Sequence, residues 1–230
     1  MSPKVKRFSA AIILAGGTGT RFGGDKCVSM LNGYPTIYYS FKTIYDTKLM
    51  DIILVIHRDE IQKNFINKFL EKTDSVFFEK GGNDRKSSVW NGILFLKKNF
   101  PEIKNLFIHD GARPLVTEKN IIELNEKIKN HQAAVLCHRI VDTVVSMEEN
   151  QIKYLDRNML YAIETPQAFN FPLIYDGYKN AMDQNLPLGD DSSAIDDKAQ
   201  IQFIENATCN IKITFPRDLS IVNALLPKAH

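Results

Sequence analysis

Short apolar runs rich in β-branched residues recur along the chain: "AAIILA" (10–15), "DIILVIH" (51–57), "SVFFE" (75–79), "NLFIHD" (105–110) and "AAVLCH" (133–138). Runs that stay apolar at successive positions predict strands buried on both faces. Between them, apolar residues return at helical spacing. Ile37, Phe41 and Ile44 share one face, as do Ile61, Phe65, Phe69 and Leu70. Val89, Ile93, Leu94 and Leu96 form a third face, and Ile121, Leu124 and Ile128 a fourth. Alternating strands and helices predict an α/β fold: three layers, a mostly parallel sheet and a Rossmann-like core. Beyond residue 138 the rhythm changes. Residues 139–169 hold strand-like stretches around the turn signal "EENQ" and no amphipathic helix. They predict a β-hairpin arm at about 139–160, projecting from a single domain that spans 1–230. A helix is expected at 172–184, a strand at "NIKIT" (210–214) and a last helix opened by the proline of "PRDL".

Composition narrows the classes. A chain of 230 residues, 44% hydrophobic and 24% charged, suits one large globular domain. Net charge is +2 with no long basic run, which argues against a nucleic-acid partner but leaves local Lys and Arg for a small anion. The three cysteines are far apart and form no CxxC pair, as expected in a reducing, cytoplasmic setting. "MSPKVKRFSAAIILAGG" imitates a signal peptide, but its apolar run stops at glycines after about six residues and reads as the first strand. No stretch is long enough to span a bilayer, so no membrane partner is expected.

In sheets of this kind ligands sit beyond the carboxyl ends of the strands. Three polar loops fall there: "AGGTGTRFGGDK" (15–26), "EKGGNDRKSS" (79–88) and "HDGARP" (109–114). The first has Gly17 and Gly19, but Phe22 stands where the dinucleotide fingerprint needs a third glycine. Lys26 leads to Cys27, which excludes a P-loop. The glycines serve either a tight turn or a phosphate cradle. Arg21 inside the loop and Lys26 at its exit favour the cradle, since fixed cations offset charge that builds up at phosphorus. The bland alternatives are solvated loop charges for Arg21 and Lys26, an outward strand position for Lys212, and pairing of Arg157 with Asp156 or Glu164. Asp110 ends a strand, where a functional role is expected. Asp190, Asp191, Asp196 and Asp197 are read as helix-capping residues rather than metal ligands. The five histidines, at 57, 109, 131, 138 and 230, show no metal-ligand spacing.

The glycine loop resembles that of the sugar-nucleotide-type nucleotidyltransferases. Further on come "HDGARPLV" (109–116), "VDTVV" (141–145), "DRNMLYAIETPQAF" (156–169), "GDDSSAID" (189–196) and "NIKIT" (210–214). Their order resembles the 2-C-methyl-D-erythritol 4-phosphate cytidylyltransferase family over roughly residues 9–226. That resemblance implies a nucleotide-diphospho-sugar transferase-like fold and a reaction of CTP with methylerythritol phosphate in non-mevalonate isoprenoid synthesis. It also implies Mg²⁺ held largely by the CTP phosphates, and a homodimer formed through the arm. A phosphate nucleophile is already anionic at neutral pH, so no Ser, Cys or His base is needed. Cations, backbone donors and in-line placement are needed instead.

By motif, the resemblance implies that Arg21 and Lys26 stabilise the α-phosphate, while Arg157 and Lys212 position the acceptor phosphate. Asp110, Arg113, Thr143 and Thr165 would hold the acceptor, with Thr143 and Arg157 serving the neighbouring subunit. Ala15, Gly16, Gly17, Gly19, Gly82, Asn83, Ser88 and Asp110 would surround the nucleotide. Three departures stand out. The exit "GGDKCV" is shorter than the family's and lacks its Pro-Lys-Gln, Gly189 stands where Thr is usual, and Asn83 where Asp is common. Rival readings are a cytidylyltransferase for ribitol 5-phosphate, a molybdopterin guanylyltransferase and a catalytically idle nucleotide-binding module.

Overall fold

The computed structural model describes residues 8–17, 19–148, 151–196 and 198–226. Residues 1–7, Glu149 and Asn150 of the "EENQ" turn, Asp197 and His230 lie outside the described residues. In chain order the elements are β1 (Ser9–Leu14), β2 (Met30–Leu31), β3 (Tyr34–Pro35), α1 (Thr36–Asp46), β4 (Ile52–His57), α2 (Glu60–Ile66), β5 (Val76–Lys80), α3 (Arg85–Asn99) and β6 (Asn105–Asp110). There follow α4 (Glu118–Lys127), β7 (Ala133–Arg139), β8 (Val144–Glu148), β9 (Gln151–Leu155), β10 (Tyr161–Asn170), α5 (Phe171–Asp183), β11 (Ile201–Glu205) and α6 (Pro216–Leu225).

Seven strands form one sheet in the order β11-β7-β10-β6-β1-β4-β5. Adjacent residues of a strand face opposite layers, so Ile12 and Ile13 of β1, both fully buried, enter different cores. Ile13 packs with Phe41, Phe107 and Leu124; Ile12 packs with Leu54, Val89, Ile93 and Tyr178. This is the three-layer α/β sheet expected from the alternation of elements. Every pairing in it is parallel except those of β10, which runs antiparallel to both β6 and β7. The arm explains the reversal. β8 and β9 pair only with each other, and the chain returns from them directly beside β7, with Tyr161 opposite Arg139. Antiparallel neighbours need no crossover helix.

Four local expectations are corrected. Ile61 is 83% exposed, because Asp59 caps α2 and sets a register that buries Gln62 and Ile66 instead. Leu94 is exposed, one position off the stripe of Val89, Ile93 and Leu96. "NIKIT" is not a strand: it lies beside Ala112 through one backbone bond, Ile213 N–H to Ala112 O at 2.9 Å, while the edge strand β11 comes earlier. Among its described residues the acidic segment caps no α-helix; Asp190 accepts the Ser193 N–H at 3.0 Å in a 3₁₀ turn at Ser192–Ala194, and Asp191 is fully buried. Among the described residues no helix is long and apolar enough to cross a membrane.

Candidate active site

The carboxyl ends of β1, β4, β5 and β6 open onto a cavity of about 490 Å³. Its wall includes Gly16, Gly17 and Lys26 from the first loop and Gly82, Asn83 and Ser88 from the second. Asp110 at the end of β6 and Lys212 complete the set of expected residues found there. Three loops distant in sequence therefore meet at one edge, because parallel strands deliver their carboxyl ends to the same side.

Local chemistry shapes the first two loops. The Gly19 carbonyl accepts the N–H groups of Phe22 and Gly23, both at 2.9 Å, turning the chain tightly. Gly19 has φ +63°, and a Cβ there would lie 1.9 Å from the Gly24 carbonyl oxygen, so glycine is required. In the second loop Asp84 caps α3, accepting from the Ser87 N–H at 2.7 Å, and Gly82 N–H donates to Ser88 Oγ at 3.0 Å. The amino end of the fifteen-residue helix α3 thus borders the cavity, with its Ser87 and Ser88 N–H groups bonded to Asp84.

Asp110 is the hub. Its Oδ2 lies 2.6 Å from Lys212 Nζ and its Oδ1 accepts from Arg85 Nε at 3.1 Å. Arg85 turns its fork to Asp191, with bonds of 2.8 and 2.6 Å, and Tyr178 donates its hydroxyl to the same carboxylate at 2.5 Å. Burial alone would raise the Asp110 carboxyl, but Arg85, Lys212 and Arg113 outweigh it and hold the group well below the usual carboxylate range. Lys26 is half-buried with no ion pair to an acid among the described residues; burial, then the neighbouring Lys212, lowers its pKa. Cys27 is pushed up to about 12, first by burial and then by Asp25, so its thiol stays protonated and is no nucleophile. His109 is pushed down to about 3 by burial and is neutral at neutral pH.

The remaining expected residues lie off the cavity wall. Ala15 is buried; its N–H donates to Ile56 O at 2.8 Å and its carbonyl accepts from Gln62 at 3.0 Å. Arg21 is exposed on the glycine loop. Arg113 stands behind Asp110, with Nη1 donating to Asn210 O at 2.8 Å. Thr165 is buried and its Oγ1 accepts the Asp110 N–H at 3.0 Å, so it holds the main chain at the end of β6. Thr143 and Arg157 are exposed at the base of the arm, and Arg157 donates to Val141 O at 2.7 Å instead of pairing with Asp156 or Glu164. Sequence reasoning missed Arg85 and Asp191. Arg85 lies in a loop already singled out, but nothing local separates it from Lys86.

A glycine cradle, a helix terminus and two lysines at the carboxyl edge of a mostly parallel sheet define a nucleotidyltransferase. The profile of the family described as IspD, 2-C-methyl-D-erythritol 4-phosphate cytidylyltransferase, matches residues 9–228. A protein of that name from Clostridium beijerinckii is 38% identical over 219 residues, covering 91% of this chain and 94% of that one. Another, from Dictyoglomus thermophilum, is 32% identical over 225 residues, covering 95% and 96%. The crystal structure of 4-diphosphocytidyl-2C-methyl-D-erythritol synthase from Anaerococcus prevotii superposes with a TM-score of 0.84 at 26% identity, covering 96% of each chain. The chain belongs to the 2-C-methyl-D-erythritol 4-phosphate cytidylyltransferase family.

Proposed function

We propose that CTP and 2-C-methyl-D-erythritol 4-phosphate react in this cavity to give the CDP-alcohol and pyrophosphate, a step of isoprenoid biosynthesis. The observation that carries this reading is the convergence of Lys26, Lys212 and Asp110 beside the glycine loop of a chain from this family. An acceptor phosphate oxygen forms the new bond to the α-phosphorus as the bond to the β-phosphate bridging oxygen breaks. Lys26 meets the charge that builds on the α-phosphate, since its ammonium has no competing carboxylate partner among the described residues. Lys212, aimed by Asp110, meets the acceptor phosphate. Gly16 and Gly17 receive the triphosphate, with Gly82, Asn83 and Ser88 around cytosine and ribose.

Arg21 joins the triphosphate from the exposed side of its loop. Thr143, Arg157 and the arm reach a neighbouring subunit in a homodimer. Exposed Val141, Met147, Ile152, Tyr154 and Met159 give the arm an apolar surface that suits such pairing. A metal must fit the donors present. Asp110 is already paired with three cations, Arg85, Arg113 and Lys212, and among the described residues no three His, Cys, Asp or Glu groups converge. That donor set suits Mg²⁺ carried on the triphosphate, where it would neutralise phosphate charge. The free cysteines Cys27, Cys137 and Cys209 accord with a cytoplasmic setting.

Pyrophosphate release from each nucleoside triphosphate, with methylerythritol phosphate or ribitol 5-phosphate as acceptor, tests the assignment. Turnover is expected with CTP and methylerythritol phosphate. Turnover confined to ribitol phosphate overturns the acceptor, and none at all favours an idle binding module. Because burial and Lys212 lower the pKa of Lys26, kcat/KM should fall with rising pH earlier than an ordinary lysine would titrate. Lys26→Arg should shift that alkaline limb upward. Mixing inactive Lys26→Ala with inactive Arg157→Ala protein should restore about a quarter of the wild-type rate if arms are shared between subunits. No restoration would confine Arg157 to its own chain.

A further inference from the structure

The glycine loop leaves β1 at Ala15 and ends at Asp25, and one side chain of α2 touches both ends. Gln62 Nε2 donates to the Ala15 carbonyl at 3.0 Å and to Asp25 Oδ2 at 2.6 Å. Its Oε1 accepts the Arg58 N–H at 2.7 Å. The first two partners only accept and the third only donates, so one orientation of the amide satisfies all three. Gln62 is 3% exposed. A buried amide is costly unless bonded, and here three bonds offset that cost.

Lys26 sits between two anchored neighbours. On one side, the Asp25 carboxylate accepts from Gln62 and from the Cys27 N–H at 3.1 Å, and lies 3.3 Å from Arg58 Nη2. On the other, the Cys27 carbonyl accepts the Ile37 N–H of α1 at 3.0 Å. The loop before Asp25 is held differently. The N–H groups of Phe22, Gly23 and Gly24 all bond the loop's own Gly19 carbonyl, and Gly19 and Gly23 adopt positive φ. Phe22 also packs against the core, so the loop takes its position from that contact and from the ties at its two ends.

We propose that Gln62 is a positioning residue for Lys26, its amide buckling the two ends of the glycine loop and fixing where the Lys26 ammonium enters the cavity. This rests on the reading of Lys26 as the cation that meets the α-phosphate. It also accounts for the short exit "GGDKCV": Asp25 supplies, through its side chain, a fixed link to α2. Fixing a cation before substrate arrives is preorganisation, and small misplacements are expensive in rate.

Gln62→Met keeps the length of the side chain and removes its three bonds. It should lower kcat about tenfold or more with little change in KM for CTP. Trypsin should also cut faster after Arg21 and Lys26. The deciding measurement repeats the substitution in a Lys26→Ala background, where it should cost less than about twofold, since the group it positions is gone. Equal losses in both backgrounds overturn the inference and leave the role of Lys26 intact. Wild-type kcat in Lys26→Ala alone overturns both. Asp25→Ala, which removes the acceptor of the same link from the other side, must give the same pattern and serves if Gln62→Met does not fold.

Discussion

Lys26→Ala is expected to lower kcat by on the order of 10²-fold or more, the loss typical of removing one group that stabilises developing charge. The fall should appear equally in kcat and kcat/KM, because the cation acts chiefly where charge accumulates and not on the bound ground state. Stability should move the other way. Burial and Lys212 both disfavour the charged form of Lys26 in the folded protein. A lysine whose pKa is lowered on folding opposes folding at neutral pH, so its removal should leave Tm unchanged or higher. A variant that is both inactive and markedly less stable would indicate a structural role. Wild-type kcat would remove Lys26 from the mechanism.

The second large effect concerns Arg85. Arg85→Met would leave Asp191, which is fully buried, with the Tyr178 hydroxyl but no cation, and would take one partner from Asp110. Breaking a buried pair by removing one member costs about 3–5 kcal/mol. For a chain of this size that corresponds to a fall in Tm of roughly 6–20 °C. The double variant Arg85→Met/Asp191→Leu removes both charges and should recover most of the stability, since apolar replacement of a whole pair is often neutral. It should not recover activity, because Asp110 would still lack the guanidinium that helps orient it toward Lys212. Thermal melts beside kcat for the two variants check both halves. Recovery of activity together with stability would reduce Arg85 to a structural brace.

Both predictions involve residues of unequal visibility. Lys26 was legible because it sits at the exit of a glycine loop, where local spacing carries chemical meaning. Lys212 was legible only through its motif; by alternation with Ile211 and Ile213 it was the outward position of a strand that does not exist. Its real setting is a stretch beside Ala112, held by contacts that periodicity does not encode. Thr165 reads from the motif as an acceptor contact, whereas in the structure its buried hydroxyl accepts the Asp110 main-chain N–H. Gln62 was invisible. A polar residue beside Ile61 reads as solvent-facing until the Asp59 cap sets the helix register.

The sequence by itself determined the alternation of buried strands and amphipathic helices, the loops at the carboxyl ends and the motifs that mark the family. Those signals are local: a period of two or 3.6 reports which side of an element is buried, and a glycine loop reports its own geometry. Only the tertiary structure decided that β10 runs antiparallel between β6 and β7, because strand direction depends on where the arm returns the chain. It also decided which charges meet. Arg85 and Asp191 are 106 positions apart, and Gln62 and Asp25 are 37 apart. Such pairs form because the sheet brings distant loops to one edge, where burial leaves each polar group dependent on finding a partner.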